Sequence, residues 1–256
     1  MTGLHHRVDG PDDAPVLVFG PSLGTDLGLF DAQVAAFSDR FRTVRFDLRG
    51  HGGSPVPSGD ATMADLAGDV VELLDRIGVG RAHYVGVSIG GAIGQQLAVH
   101  TDRLLSLAVL ASAARFADPD SWATRAATVR EKGTDAMVAS RVGTWFTHAF
   151  QDRDPDGARR LLDMLRATSD EGYAACCAAI GGFDIRGELS GVTVPTLAVA
   201  GAEDPATPPE FLRLIADSVP GARYAEVPAT AHLLNAEEPD QVNELLAGHL
   251  AQAAGR

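Results

Sequence analysis

Cysteine is nearly absent: the chain of 256 residues has two, Cys176 and Cys177, side by side. A disulfide between neighbours is strained and rare, and the spacing fits no zinc motif, so both read as packed thiols. Long apolar runs are missing too, and none approaches the roughly 18 to 20 residues that a membrane span requires. The opening residues Met1 to Arg7 hold no apolar stretch of the kind a secretory signal carries, so the expected compartment is the cytoplasm. Positive charge is scarce. Asp and Glu total 34 against 21 Lys and Arg, a formal net charge of −13. Such a surface repels phosphates, which excludes nucleic acid as a partner and disfavours an anionic membrane surface. Lysine is almost gone, Lys132 being the sole one. No P-loop and no internal repeat occurs. What remains is ordinary for a folded domain, 45% hydrophobic and 21% charged, with enough chain for one α/β domain or one domain plus a lid.

The most informative stretch is Gly86-Val87-Ser88-Ile89-Gly90-Gly91, a Gly-x-Ser-x-Gly pattern. An apolar run, Ala82 to Val87, precedes it, and a helical pattern, Ala92 to Val99, follows. Strand, small-residue turn and helix are the setting of a nucleophile elbow, where a strained serine projects beside a helix N-terminus. The same residues could be a dinucleotide fingerprint. Serine at the central position argues against that reading, because close approach of a pyrophosphate needs glycine there.

Strands and helices alternate through the first part of the chain. Leu4–Val8 and Val16–Phe19 read as a hairpin about the Gly10–Asp13 turn, and Thr43–Asp47 as a further strand. Leu29, Phe30, Val34 and Phe37 recur at helical spacing. Thr62 and Asp65 fit a capping box opening a helix to Ile77. Leu105–Leu110 is a continuous apolar run suited to a strand buried on both faces. The alternation predicts a doubly wound α/β fold with a mostly parallel sheet. Between about 116 and 186 it stops, and the helical patterns are Trp122–Val129, Ala136–Phe150, Ala158–Leu165 and Glu171–Ile180. An inserted helical lid accounts for them better than a structureless loop of that length. The predicted division is therefore a core of 1–115 and 187–256 with a lid of 116–186. Strands resume at Pro195–Ala200 and Arg223–Val227. Thr207-Pro208-Pro209-Glu210 reads as a capped helix start, and Gln241–Gln252 as the last helix.

A serine hydroxyl needs a base, and the base needs a group that holds its tautomer. Ser88 follows one strand, Asp204 a later one and His232 the last, so each falls at a strand's C-terminal end, where parallel sheets build their sites. Glu203 competes with Asp204 for the acid role; Asp204 is favoured because the shorter side chain comes last in the turn. Two backbone N–H groups must hold an oxyanion: that of Ile89, after the serine, and one from the Gly20–Gly24 loop, supplied by Ser22 or Leu23. His51 and Ser54, in the turn Arg49–Ser54, read as structural or lining residues. His5, His6, His83, His100, His148 and His249 have no metal-ligand spacing.

With these residues in place the chain resembles the α/β-hydrolase superfamily, and within it is similar to the 3-oxoadipate enol-lactonases. The resemblance rests on Ser22–Leu27, Arg49–Ser54, Gly86–Gly91, Trp145-Phe146-Thr147 and Gly201–Asp204; Gly20-Pro21 departs from the Ser-Asn more usual in that family. It implies hydrolysis of 3-oxoadipate enol-lactone to 3-oxoadipate, in the protocatechuate branch of aromatic degradation. Ser88 would be the nucleophile, His232 the base and Asp204 the acid, with Ser22 and Ile89 at the oxyanion and no metal or organic cofactor. Another carboxylesterase or lactonase activity is the first alternative, and a non-catalytic ligand-binding protein of the same fold the second. The substrate implied is a small lactone or ester bearing a carboxylate, which arginine can clamp through two hydrogen bonds. Arg125, Arg130 and Arg141 in the lid are the candidates. Leu23 is expected at the substrate, and Trp145 either lines the pocket or packs the lid to its base.

Overall fold

The computed structural model of the chain describes residues 3–254, so Met1, Thr2, Gly255 and Arg256, the outer ends of the predicted core, lie outside the described residues. Seven strands form one sheet: β1 (His6–Asp9), β2 (Val16–Gly20), β3 (Arg42–Phe46), β4 (Ala82–Val87), β5 (Leu104–Leu110), β6 (Thr196–Gly201) and β7 (Arg223–Val227). Their order is β1-β3-β2-β4-β5-β6-β7, parallel throughout except for the antiparallel β1–β3 pair. Every residue of β4 and β6 is buried, as central parallel strands require.

The predicted hairpin does not form. β3 inserts between β1 and β2, pairing Val8 with Val44 on one side and Val18 with Val44 on the other. Val44 and Phe46 are fully buried, which an edge strand could not offer them. Arg45, also buried, draws the outer strand in through Asp9 and fixes the first helix through Asp31.

Helices α1 (Asp31–Phe37), α2 (Met63–Arg76) and α3 (Ile89–His100) connect the first five strands. The capping box of α2 is present: the Thr62 hydroxyl accepts from the Asp65 N–H at 3.1 Å, and the Asp65 carboxylate accepts from the Thr62 N–H at 2.8 Å. The buried positions of α2, Met63, Leu66, Ala67, Val70, Leu73 and Leu74, make one stripe at helical spacing. That stripe faces the sheet side where α3 lies against β2, β4 and β5.

Between β5 and β6 the described residues make five α-helices: α4 (Pro119–Lys132), α5 (Asp135–Val138), α6 (His148–Arg153), α7 (Pro155–Ala167) and α8 (Asp170–Gly181). The two ends of this segment meet, with the Ile185 N–H on the Ala114 carbonyl at 2.9 Å and Arg115 bridged to Asp184. A single helix over Ala136–Phe150 is not found. Residues 139–147 turn back instead, Val142 bridging Phe146. The Thr144 and Trp145 carbonyls there accept from the N–H groups of His232 (3.3 Å) and Leu233 (2.7 Å). Carbonyls committed to another part of the chain cannot close helical turns.

The chain returns through α9 (Pro209–Ser218) to β7, then through the single turn α10 (Leu234–Glu237) into α11 (Pro239–Ala254). α11 packs on β5 and β7 with α1 behind it, which gives the sheet a second helical layer. Pro208, not Thr207, occupies the N-cap of α9 and makes no side-chain cap. Thr207 is committed elsewhere, as described below. Among the described residues no helix is long and apolar enough to cross a membrane.

Candidate active site

Ser88 directly follows β4 and caps α3 with φ of 58° and ψ of −119°, a conformation rarely adopted by a residue with a side chain. Its backbone is held from below, the N–H donating to Leu110 O at 2.9 Å and the carbonyl accepting from the Ser112 hydroxyl at 2.6 Å. The glycines on either side are sterically required. A Cβ on Gly86 would sit 2.2 Å from the Gly90 carbonyl oxygen, and one on Gly90 would sit 2.1 Å from that of Gly20. The turn thus lets α3 lie against the strand and points the serine at the α3 N-terminus, where the first intrahelical bond is Ala92 N–H to Ser88 O. The Ile89 N–H falls in the uncommitted first turn.

Asp204 and His232 are both buried and joined by a 2.8 Å contact from His232 Nδ1 to Asp204 Oδ2. Glu203 lies exposed to solvent, its N–H donating to Thr230 O. The Asp204 carboxylate is fully used: Oδ1 accepts from the N–H groups of Ala206 (2.8 Å) and Thr207 (3.1 Å), and Oδ2 also accepts from the Thr207 hydroxyl (2.6 Å). Burial alone would raise this carboxyl's pKa. The charge and hydrogen bond of His232, with the Thr207 donors, overrule burial and hold it below the ordinary value. Thr207 is thus a site residue that reading it as a helix cap concealed. The signal was its spacing, since an aspartate followed by free N–H groups two and three residues on builds an Asx turn.

The Gly20–Gly24 loop is fixed through His51. Gly24 N–H donates to His51 Nε2 at 3.0 Å, so the ring proton is on Nδ1 and donates to Arg49 O at 2.8 Å. Thr25 N–H is taken by Ser22 O. Within Ser22–Thr25, the N–H groups of Ser22 and Leu23 are those without a partner among the described residues. Ser54, for its part, donates to Asp47 O and accepts from the His5 N–H, and so braces the turn.

Burial lowers the His51 pKa to about 4, the arginine carbonyl and Asp47 opposing it. His249, on the inner face of α11, is lowered to about 4 by burial first, with Arg223 and His83 adding to it. Unfolded histidine titrates near 6.5, so below that pH the unfolded chain binds more protons and stability falls with pH. The stabilisation is whole above pH 6.5 and is lost progressively down to about 4. By pH 5 the loss is roughly 2 kcal/mol per histidine. Urea midpoints measured from pH 7.5 to 4.5 should therefore drop steeply below 6.5, and a flat profile down to pH 5 would contradict the buried neutral rings.

A cavity of about 390 Å³, counted to its open mouth, lies over these groups. Its floor is Ser22, Leu23, Ser88, Ala206, Thr207 and His232; its roof is Phe116, Trp122, Arg125, Arg141, Thr144, Trp145 and Tyr173. Ser88 and His232 thus share one wall, although the serine hydroxyl makes no hydrogen bond to another described residue. Trp145 borders the cavity, and its backbone carbonyl accepts from the Leu233 N–H.

Of the three arginines, the structure brings two to the cavity. Arg141 is 7% exposed, and its guanidinium lies 5.8 Å from the Trp145 ring centre. It donates to Ser140 Oγ at 2.8 Å, while its buried Nε has no partner. Burial lowers its pKa, a sign of an uncompensated charge. Arg125 stacks over Trp122 at 4.3 Å. Neither is ion-paired within the described residues. Arg130 does not reach the cavity: it is exposed and held by Glu171 (2.7 Å) and Asp60 (2.8 Å), two carboxylates that satisfy it at the surface. The adjacent thiols are buried and free, and burial pushes that of Cys177 up to about 12 and that of Cys176 higher, so both stay protonated and inert.

The sequence profile of the alpha/beta hydrolase fold family matches residues 15–239. The chain is 34% identical over 241 residues to 3-oxoadipate enol-lactonase 2 of Acinetobacter baylyi, covering 94% of this chain and 90% of that one. It superposes on the crystal structure of the enol-lactonase from Burkholderia xenovorans LB400 with a TM-score of 0.94, at 39% identity, over 97% of this chain and 96% of the other. A thermophilic esterase from Thermogutta terrifontis, solved with malate bound, gives 0.92 at 27% identity over 98% and 93%.

Proposed function

Since the chain belongs to the α/β-hydrolase fold family and is an ester-hydrolysing enzyme, we propose that it opens 3-oxoadipate enol-lactone to 3-oxoadipate through an acyl-serine. Ser88 attacks the lactone carbonyl while His232 Nε2 takes its proton, and Asp204 keeps the opposite ring nitrogen protonated. The oxyanion is held by the N–H of Ile89 and one of Ser22 or Leu23, contacts worth about 3 to 4 kcal/mol each to the transition state. Collapse breaks the ring C–O bond and releases an enolate, which takes the proton held on His232 and becomes the ketone, leaving the imidazole neutral. Water, deprotonated by His232, then attacks the acyl-serine; the Ser88–acyl bond breaks, His232 returns the proton to the serine oxygen, and the new acid leaves and ionises. The segment 116–186 acts as the lid over this chemistry, supplying the aromatic roof and the two arginines.

The observation that carries the substrate class is Arg141, a buried guanidinium without an anionic partner that faces the same cavity as Ser88. An uncompensated buried charge is destabilising, and a substrate carboxylate would offset it with two charge-assisted hydrogen bonds. Malate in the Thermogutta terrifontis esterase, itself a small dicarboxylate, is consistent with that preference. The test is Arg141→Met, assayed on the enol-lactone by loss of ultraviolet absorbance and on a neutral aryl acetate. A charged hydrogen bond contributes about 1.5 to 3 kcal/mol, so KM for the lactone should rise roughly 10- to 100-fold while the aryl ester is little affected. Equal effects on both substrates, or wild-type enzyme that turns over the lactone no faster than simple esters, would refute the assignment.

A further inference from the structure

Glu237 is 2% exposed, and among the described residues no cation pairs with its carboxylate. Its partners come from two separate parts of the chain. Oε1 accepts from the N–H of Thr147 (3.1 Å) and from the Thr147 hydroxyl, while Oε2 accepts from the N–H of Ala231 at 2.9 Å. Ala231 directly precedes His232, and Thr147 ends the turn that carries Trp145 and Thr144, both on the cavity roof. The two backbones are already laced together, His232 N–H to Thr144 O and Leu233 N–H to Trp145 O. Glu237 closes that lacing from the far side. The Thr147 hydroxyl also accepts from the Phe150 N–H at 3.1 Å, so its proton is directed at the carboxylate and the start of α6 is fixed with it. Arg153 reaches the Glu237 carbonyl, not the side chain, at 2.6 Å.

We propose that Glu237 is a positioning residue for His232, setting the imidazole's place over Ser88 by clamping the His232 loop to the Trp145 turn. The chemistry of the clamp demands an acceptor-only side chain. Three donors converge on two oxygens, and a glutamine in the same place has one oxygen and an amide that itself donates. Either orientation of that amide opposes an N–H to an N–H, at Ala231 or at Thr147. Apart from the two bonds to the Trp145 turn and the ring contact with Asp204, the loop is held upstream, where Ala229 has φ of 55° and Thr230 bonds back to Val227 O and to the Glu203 N–H. The base and the roof of the cavity therefore move as one body, and a substrate that displaces the Trp145 turn displaces His232 with it.

The inference rests on His232 acting as the base, and the experiment keeps the two apart. Glu237→Gln, Thr147→Val and, as a packing control remote from the cavity, Val70→Ala are assayed on a small aryl acetate that does not depend on the lactone or on Arg141. Each is also followed by urea unfolding and by the downfield proton resonance of His232 Nδ1–H. Glu237→Gln should lose about tenfold or more in kcat with KM nearly constant, because small displacements of a reacting group carry penalties of that order, and its downfield resonance should broaden. Thr147→Val, which touches the clamp only from the roof side, should lose several-fold in kcat with the same constancy of KM. Val70→Ala should lose stability alone. Wild-type kcat and resonance in folded Glu237→Gln would overturn the proposal. If that variant does not fold, Thr147→Val with unchanged kcat overturns it. Turnover surviving in Ser88→Ala would instead sink the triad on which the inference stands.

Discussion

Ser88→Ala is expected to abolish turnover of aryl esters and lactone alike, by on the order of 10⁴-fold or more in kcat, without gaining stability. The second half of that expectation comes from the backbone. At φ of 58° the strain arises from the β-carbon, which alanine keeps. Ser88→Gly removes it and should be the more stable of the two by about 1 kcal/mol, after allowance for the looser unfolded chain. Both variants should be inactive, because either lacks the oxygen proposed to attack. The pair thus separates two properties of one residue, and aryl acetate hydrolysis with urea unfolding reads both. Activity in the alanine variant would end the nucleophile assignment. Equal stability of the two would mean that the turn carries no strain at Ser88, whatever its chemistry.

The elbow was legible because its geometry is local. Strand, serine and helix are contiguous, and Gly86 is demanded by a contact within the same turn, whereas Gly90 is demanded by the neighbouring Gly20. The capping box at Thr62 and the buried run into Leu110 were readable for the same reason. What sequence pattern could not report is which partner a segment takes. Two short stretches about the Gly10–Asp13 turn mark Leu4–Val8 and Val16–Phe19 as strands, but β3 comes between them because Val44 and Phe46 need neighbours on both sides. Apolar spacing suggested one helix over Ala136–Phe150, yet its carbonyls at Thr144 and Trp145 are taken by a loop some ninety residues later. Arg130 and Arg141 are alike as sequence. One finds Glu171 and Asp60 at the surface, the other is enclosed with Trp145, and only the tertiary fold distinguishes them. Thr207 and Glu237 escaped notice because each has an ordinary local reading, a cap and a helix-end charge, that hides a long-range one.

The proposed acid is where this matters most, and Asp204→Asn should lower kcat by about 10⁴-fold while KM changes little. Asparagine has one acceptor oxygen where aspartate has two. The N–H groups of Ala206 and Thr207 both converge on the Oδ1 position, and leaving two buried donors unpaired is more costly than leaving one. The amide oxygen is therefore drawn there, and the NH₂ falls at the Oδ2 position against His232 Nδ1. The Thr207 hydroxyl can rotate and accept, so the fold survives. The imidazole has no such freedom: with a donor facing Nδ1, that nitrogen must be the acceptor, and the proton moves to Nε2. The nitrogen that should take the proton of Ser88 then already carries one. The ¹⁵N shifts of His232 should report this reversed tautomer directly, in a protein that unfolds near the wild-type urea midpoint. A variant with kcat within tenfold of wild type, or with the proton still on Nδ1, would show that Asp204 does not set the tautomer of His232.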